Sequence, residues 1–94
     1  MFRKSDDKTK AKRQPMTRTA LEGAITERVK NSSAECEEFV GVIIEYVKPK
    51  KLGDANWGLK GVRYGKANRE ACAAALSALV AEGQLEFELS DPHA

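Results

Sequence analysis

The chain has 94 residues, 41% of them hydrophobic and 32% charged, and its formal net charge is +2. This composition is that of one small globular domain, and it excludes both a chain disordered throughout and a membrane-embedded one. The first residues are basic but no apolar stretch follows them, so we expect no secretory signal and a cytoplasmic location.

Charge is distributed in blocks along the chain. Residues 1–18 carry seven Lys or Arg against two Asp, and residues 48–69 carry seven basic side chains against one Asp. Because the first block offers almost nothing to bury, we predict a disordered basic tail over residues 1–18. The remainder then forms one small domain over residues 19–90, with a second disordered tail over residues 91–94.

A first helix is predicted from Thr19 to about Lys30. The segment Thr19-Ala-Leu-Glu22 has the pattern of a capping box, in which a hydroxyl and a carboxylate satisfy free N–H groups at the helix start. Leu21, Ile25 and Val29 follow at helical spacing and are expected to face the core.

A second capping box, Ser32-Ser-Ala-Glu35, predicts a second helix that ends at Pro49. The residues from Val40 to Val47 are rich in β-branched side chains, which also suit a strand. We predict the helix, because the capping pattern and the length of the apolar run favour it, and the strand stays an alternative.

A strand over Trp57–Tyr64, a third helix and a last strand complete the predicted domain. Glycines inside the first of these strands are typical of a bulge. The helix begins after the cap residue Asn68 and ends at Gly83. The segment Leu85–Leu89 alternates apolar and acidic residues and is expected to pair antiparallel with the Trp57 strand. Glu86 and Glu88 would then lie opposite Lys60 and Arg63.

The predicted fold class is therefore α+β, with three helices and a short two-stranded antiparallel β-ribbon in the order α-α-β-α-β. Cys36 and Cys72 fall within predicted helices, and we expect a buried, reduced pair of thiols. A disulfide stays an alternative, since it depends on a distance that the sequence does not give.

Residue types that carry catalysis are sparse. The only histidine, His93, lies in the predicted C-terminal tail. The carboxylates of Glu35, Glu37 and Glu38 are explained by helix capping. No residues have metal-ligand spacing, and the run Gly61–Ala67 lacks the pattern of a nucleotide-binding loop, although Gly65 and Lys66 could hold an anion. We predict no enzyme activity, no catalytic residues, no metal and no cofactor.

Binding to another macromolecule is the expected function, and two hypotheses follow. The first is a protein-interaction or regulatory module whose partner, another protein or a second copy, contacts the hydrophobic second helix or the uncharged third helix at Ala71, Ala74, Ala78 and Ala81. The second is nucleic-acid binding by the basic tail and by segment 48–69, through Lys48, Lys50, Lys51, Trp57, Lys60, Arg63, Tyr64, Lys66 and Arg69. Trp57 and Tyr64 could equally close a small core. No membrane partner is expected.

Overall fold

The structure is a computed structural model that describes residues 13–51 and 53–91. Within these residues the chain forms two α-helices and four strands in two sheets. In chain order they are β1 (Gln14–Met16), α1 (Arg18–Lys30), a 3₁₀ turn (Ala34–Cys36), β2 (Gly41–Tyr46), β3 (Trp57–Arg63), α2 (Arg69–Glu86) and β4 (Phe87–Leu89). The α+β class is confirmed, and the prediction of three helices is wrong.

The segment predicted as the second helix is instead a 3₁₀ turn followed by strand β2. The hydroxyl of Ser32 donates to the carbonyl of Val29 at 2.7 Å, and Ser33, which precedes the 3₁₀ turn, makes no side-chain capping bond, so the expected capping box does not form. In β2 the core-facing residues Val42 and Ile44 are buried, whereas Glu45 is exposed. β-branched side chains pack well on such a half-buried sheet, and pairing with β3 outweighs the local helix signals.

Strands β2 and β3 form an antiparallel hairpin that contains the expected bulge. Val42 lies opposite Val62 and Ile44 lies opposite Leu59, and the register shifts between these pairs. Lys60 is therefore left without a partner on β2. The strand predicted to begin at Trp57 is confirmed.

The last strand differs from the prediction in both length and partner. β4 pairs in parallel with β1, so Glu86 and Glu88 do not lie opposite the cations of β3. Helix α2 continues past Gly83 to Glu86, and Leu85 is 76% exposed. Gly83 is buried against Ile25 and Trp57, so it permits close packing inside the helix and does not end it.

Residues 13–18 of the predicted tail belong to the folded part of the chain. They form β1, which pairs with the edge of β4, and the start of α1. A backbone carbonyl of α2 also accepts a hydrogen bond from this segment. Arg13 donates hydrogen bonds to the carbonyl oxygens of Gln84 and Gly53, each at 2.6 Å. Residues 1–12 and 92–94, with the rest of both predicted tails, lie outside the described residues.

Side-chain caps define the start of both helices. Thr17, not Thr19, caps α1 by accepting a hydrogen bond from the N–H of Ala20 at 3.2 Å. The cap predicted for α2 is confirmed, since Asn68 accepts from the N–H of Ala71 at 2.9 Å.

The core lies between the two helices, the hairpin and β4. The predicted stripe of α1 is buried, and Trp57 is at the centre of the core with 1% exposure. The indole N–H of Trp57 donates to the carbonyl of Phe87 at 3.0 Å. The buried hydrophobic residues are Leu21, Ile25, Val29, Cys36, Phe39, Val42, Ile44, Trp57, Cys72, Leu76, Phe87 and Leu89.

Cys36 and Cys72 form a disulfide, with their Cα atoms 5.7 Å apart, so the expectation of reduced thiols is wrong. The bond joins the 3₁₀ turn to the first turns of α2. The N–H of Asn68 strengthens the same contact by donating to the carbonyl of Glu35 at 3.1 Å. The two cysteines meet because the chain folds back after α1, a long-range contact that residue patterns do not reveal.

In the part of the chain that the structure describes, neither helix combines the length and the apolar character needed to cross a membrane.

Candidate functional site: the groove between β3 and α2

An open groove runs between strand β3 and helix α2. Among the described residues β3 pairs only with β2, so its other edge has no neighbouring strand. The groove has a volume of about 420 Å³, within the usual range for binding pockets. Its lining residues are Leu59, Val62, Tyr64, Ala73, Leu76, Ser77 and Val80. We call this site the α2–β3 groove.

The β3 wall of the groove is apolar because of the bulge in that strand. Leu59 and Val62 are three residues apart, and in a regular strand they would point to opposite faces. The register shift places them opposite Ile44 and Val42, which are both buried. Both β3 side chains are therefore on the core side of the hairpin, and each is only half-buried.

The α2 wall follows from helical spacing. Ala73, Leu76, Ser77 and Val80 recur at intervals of three and four residues and so share one side of the helix. Leu76 is buried at the base, Val80 is half-buried, and the two smaller residues are exposed.

Tyr64, which follows β3, also lines the groove. Its ring packs edge-to-face with that of Phe39, with centroids 5.9 Å apart, and the guanidinium of Arg69 lies 5.2 Å from the centroid of the Tyr64 ring. Among the lining residues, only Tyr64 and Ser77 carry a hydroxyl group. The groove thus offers apolar walls with few polar groups, which suits an apolar side chain.

The predicted protein-interaction face lies beside this groove on α2. Ala74, Ala78 and Ala81 are exposed, whereas Ala71 is half-buried. No charged residue occurs between Glu70 and Glu82. We call the three exposed alanines the outer face of α2; together with the groove they form a continuous surface free of charge.

The seven predicted nucleic-acid-binding cations are all exposed, and none forms an ion pair with another described residue. The hairpin separates them into groups. Lys48, Lys50 and Lys51 lie in the connection after β2, Lys60 and Arg63 are on β3, and Lys66 and Arg69 are at the start of α2. The seven residues of β3 span roughly 20 Å between the first group and the last.

Acidic residues surround the predicted anion site at Gly65 and Lys66. The 3₁₀ turn contacts the start of α2, where the backbone of Gly65 adopts a φ of +60° and lies against the carbonyl of Glu38. Glu35, Glu37 and Glu38 are exposed there. Their negative charge opposes an anion at this helix N-terminus.

Trp57 is not accessible for stacking on a base, because its ring is buried in the core. This burial supports a role in the core, which the sequence had left as one of two alternatives. The sequence analysis did not single out Leu59, Val62, Leu76, Ser77 or Val80 as a site. Their helical and strand periodicity was visible, but their meeting depends on β3 pairing with β2 and not with β4.

A second, larger groove of about 840 Å³ lies between α1 and β2. Its charged lining residues, Arg18, Glu22, Glu27 and Arg63, include both signs. The carboxylate of Glu22 accepts a hydrogen bond from the N–H of Ile44 at 2.8 Å, so it holds the edge of β2 against α1. Across the described residues, no three or more His, Cys, Asp or Glu side chains are grouped to hold a metal ion.

No family model matches the chain, and no match was found among curated proteins or solved structures. The functional argument therefore rests on the geometry of the chain itself.

Proposed function

We propose that this chain is a non-catalytic protein-interaction module that binds a partner in the α2–β3 groove. The observation that carries the proposal is the apolar pair of walls formed by Leu59 and Val62 on one side and Leu76 and Val80 on the other. Leu59, Val62 and Val80 are only half-buried, so part of these walls is open to solvent next to the uncharged outer face of α2. Covering them removes apolar surface from water, which favours association.

The expected interaction is modest in affinity. Full burial of one Leu, Val or Phe side chain contributes about 1.5 to 3 kcal/mol, whereas a dissociation constant near 1 μM corresponds to about 8 kcal/mol. A partner therefore needs one or two apolar anchors in the groove together with contacts around its rim. The side chains on the outer face of α2 are no larger than a methyl group, so a partner can approach the helix closely there.

Selection of a displayed random peptide library on the folded protein tests this proposal. Ser77→Arg places a long charged side chain in the groove at an exposed helical position, where Arg is well tolerated. Selected peptides should bind this variant at least about tenfold more weakly than the unmodified chain.

Ser90→Arg is the matched control, because it adds the same charge at an exposed position outside the groove lining. It should leave binding unchanged. Enrichment of no peptide, or of peptides that bind Ser77→Arg as tightly as the unmodified chain, contradicts the proposal. Trp57 fluorescence verifies that both variants are folded.

Nucleic-acid binding is a second candidate function, supported by a different observation. The seven exposed cations of segment 48–69 have no carboxylate partner among the described residues, so they are available to phosphates. If six or more of them bind phosphates, affinity for an oligonucleotide should fall roughly 10³-fold between about 50 and 200 mM salt. A Lys60→Ala, Arg63→Ala, Lys66→Ala variant should lose this binding. No binding at low salt rejects this candidate.

A further inference from the structure

The free edge of β3 lies along the α2–β3 groove. The N–H of Val47 donates to the carbonyl of Asn56 at 2.9 Å, so this carbonyl points toward β2. Because successive residues of a strand direct their backbone groups to opposite sides, the carbonyl of Trp57 points away from β2. There it accepts a hydrogen bond at 2.8 Å from the side-chain amide of Gln84, which belongs to α2. The free edge of β3 therefore faces α2 at this end.

Leu59 presents its backbone on the same edge. Its partner in the hairpin is Ile44, whose N–H points away from β3 and donates to the carboxylate of Glu22 at 2.8 Å. In an antiparallel ladder, two opposite residues either bond to each other or both direct their backbone groups outward. The N–H and C=O of Leu59 therefore point away from β2, beside the half-buried Leu59 side chain in the groove wall.

Side chains cap neighbouring backbone groups but leave Leu59 open. The N–H of Ile44 and the C=O of Trp57 are both bonded to side chains. The side-chain amide of Asn56 likewise bonds the N–H and the C=O of Leu89 in β4. Among the described residues, none is hydrogen-bonded to the backbone of Leu59 on this edge. An unpaired strand edge of this kind is a template for another strand.

Resting on the proposed function, we propose that the groove takes up an extended segment of a partner protein, which pairs with the backbone of Leu59 as an added strand. One residue of the segment donates its N–H to the C=O of Leu59 and accepts from the N–H of Leu59. An apolar side chain of the segment lies between the two walls of the groove. The backbone bonds contribute affinity, and the groove selects the side chain.

The bulge in β3 determines how far this pairing extends. Lys60 is the extra residue, so the edge beyond Leu59 departs from the regular spacing of a strand. The same bulge places the side chain of Val62 in the groove wall beside that of Leu59. We therefore expect one strongly bonded residue of the segment, flanked by apolar contacts, and not a long ladder.

The open backbone groups distinguish this occupant from others. A helix uses its own N–H and C=O groups internally, so it would leave those of Leu59 without partners. The phosphates of a nucleic acid would leave the apolar walls uncovered. A second folded copy would have to bring its own β3 edge to within about 4.8 Å, and α2 stands at that edge, where Gln84 reaches Trp57.

Amide exchange with water on the ¹⁵N-labelled full chain tests the pairing. The probe is a peptide that is selected from a displayed random library and is weakened by Ser77→Arg. The amide of Leu59 should exchange freely in the chain alone and at least about tenfold more slowly with saturating peptide. Gly58 is the matched control, because its N–H faces β2 opposite Glu45 and should be protected in both states.

Single N-methylation along the same peptide tests the pairing from the other side. An N-methyl group removes the donor and places a methyl group against the strand edge. At the residue that pairs with Leu59, it should weaken binding at least about tenfold. The residues on either side direct their N–H groups away from β3, so methylation there is the control and should have a far smaller effect. Selected peptides should also carry apolar residues at alternate positions, which share one face of a strand.

Three outcomes overturn the inference. A peptide that is weakened by Ser77→Arg but leaves the Leu59 amide exchanging freely, or that tolerates N-methylation at every position, rejects the added strand and retains the groove as a binding site. Absence of any peptide sensitive to Ser77→Arg rejects both the inference and the proposed function. Protection of Leu59 that rises with the concentration of the chain alone would assign the edge to a second copy.

Discussion

Gly23 and Gly83 both lie inside α-helices, but their surroundings differ. A Cβ atom on Gly23 would meet nothing within 4 Å, whereas one on Gly83 would lie 3.0 Å from Ile25 and 3.3 Å from Trp57. Trp57 is fixed in place by its hydrogen bond to Phe87 and by burial. A methyl group therefore has room at Gly23 but not at Gly83.

We predict opposite effects of alanine at these positions. Gly23→Ala should raise the free energy of unfolding by about 0.5 to 1 kcal/mol, because alanine has less backbone freedom to lose. Gly83→Ala gains a similar amount but forces overpacking that costs roughly 1 to 3 kcal/mol, so a net loss of about 1 kcal/mol is expected. Urea unfolding followed by Trp57 fluorescence measures both. A stabilised Gly83→Ala protein would contradict the packing of α2 on Trp57.

Glu86 and Arg28 link the ends of the two helices by an ion pair. Arg28 donates two hydrogen bonds to the carboxylate, at 3.0 and 3.1 Å. These hydrogen bonds lower the pKa of Glu86 and raise the pKa of Arg28 from their ordinary values. The side chains are 46% and 33% exposed, so solvent limits the contribution to about 1 kcal/mol or less.

The pH dependence of Glu86→Gln tests this ion pair. Because folding lowers the pKa of the carboxyl, its stabilising effect is complete above the unfolded-state pKa and is lost as the pH falls through the folded-state pKa. The difference in unfolding free energy between the unmodified chain and Glu86→Gln should therefore be present at neutral pH and disappear in acid. Glu88→Gln, at an exposed position without an ion pair to any described residue, is the control. A difference independent of pH would contradict the assignment.

At the scale of elements, the sequence predicted those parts of the fold that depend on near neighbours. Asn68 marks the start of α2, and the apolar stripe of Leu21, Ile25 and Val29 identifies α1, because caps and helical periodicity are local signals. The segment around Val42 carried a helix signal in Ser32-Ser-Ala-Glu35 and a strand signal in its β-branched residues. Pairing with β3 decided between the two, and this long-range contact is absent from local patterns.

The disulfide between Cys36 and Cys72 is another long-range contact. It closes a loop of 36 residues and secures the 3₁₀ turn to α2. By the chain-entropy estimate, a bond closing such a loop contributes roughly 3 to 4 kcal/mol to the free energy of unfolding.

Reduction with dithiothreitol should therefore lower the midpoint of urea unfolding by an amount equivalent to about 3 kcal/mol. A Cys36→Ala, Cys72→Ala chain should show a similar loss and no further response to the reductant. Alkylation in denaturant without reductant checks the bond directly. Labelling of both thiols in the unreduced chain would contradict the disulfide.

At the scale of the whole molecule, the two ends of the described chain meet and complete the fold. β1 pairs with β4, the N–H of Arg18 donates to Asp91, and the amide side chain of Asn56 bonds the backbone of Leu89. The sequence analysis placed β4 beside β3. The pairing of β4 with β1 instead leaves one edge of β3 without a neighbouring strand among the described residues.

The candidate site was accordingly predictable only in part. The absence of charge between Glu70 and Glu82 and the apolar residues Leu59 and Val62 were visible in the sequence. Their relation to one another was not, because it depends on the bulge that places Leu59 and Val62 on one side of β3. The sequence shows the type of each side chain, but only the tertiary structure shows which side chains share a surface.

Chemical-shift mapping of a peptide selected on the folded protein, with the ¹⁵N-labelled chain, tests the central claim most directly. The account predicts that the perturbed backbone amides fall in residues 59–64 and 69–80, and that those of Lys48, Lys50 and helix α1 stay unchanged. Perturbations confined to the connection after β2 or to α1 would contradict binding in the α2–β3 groove.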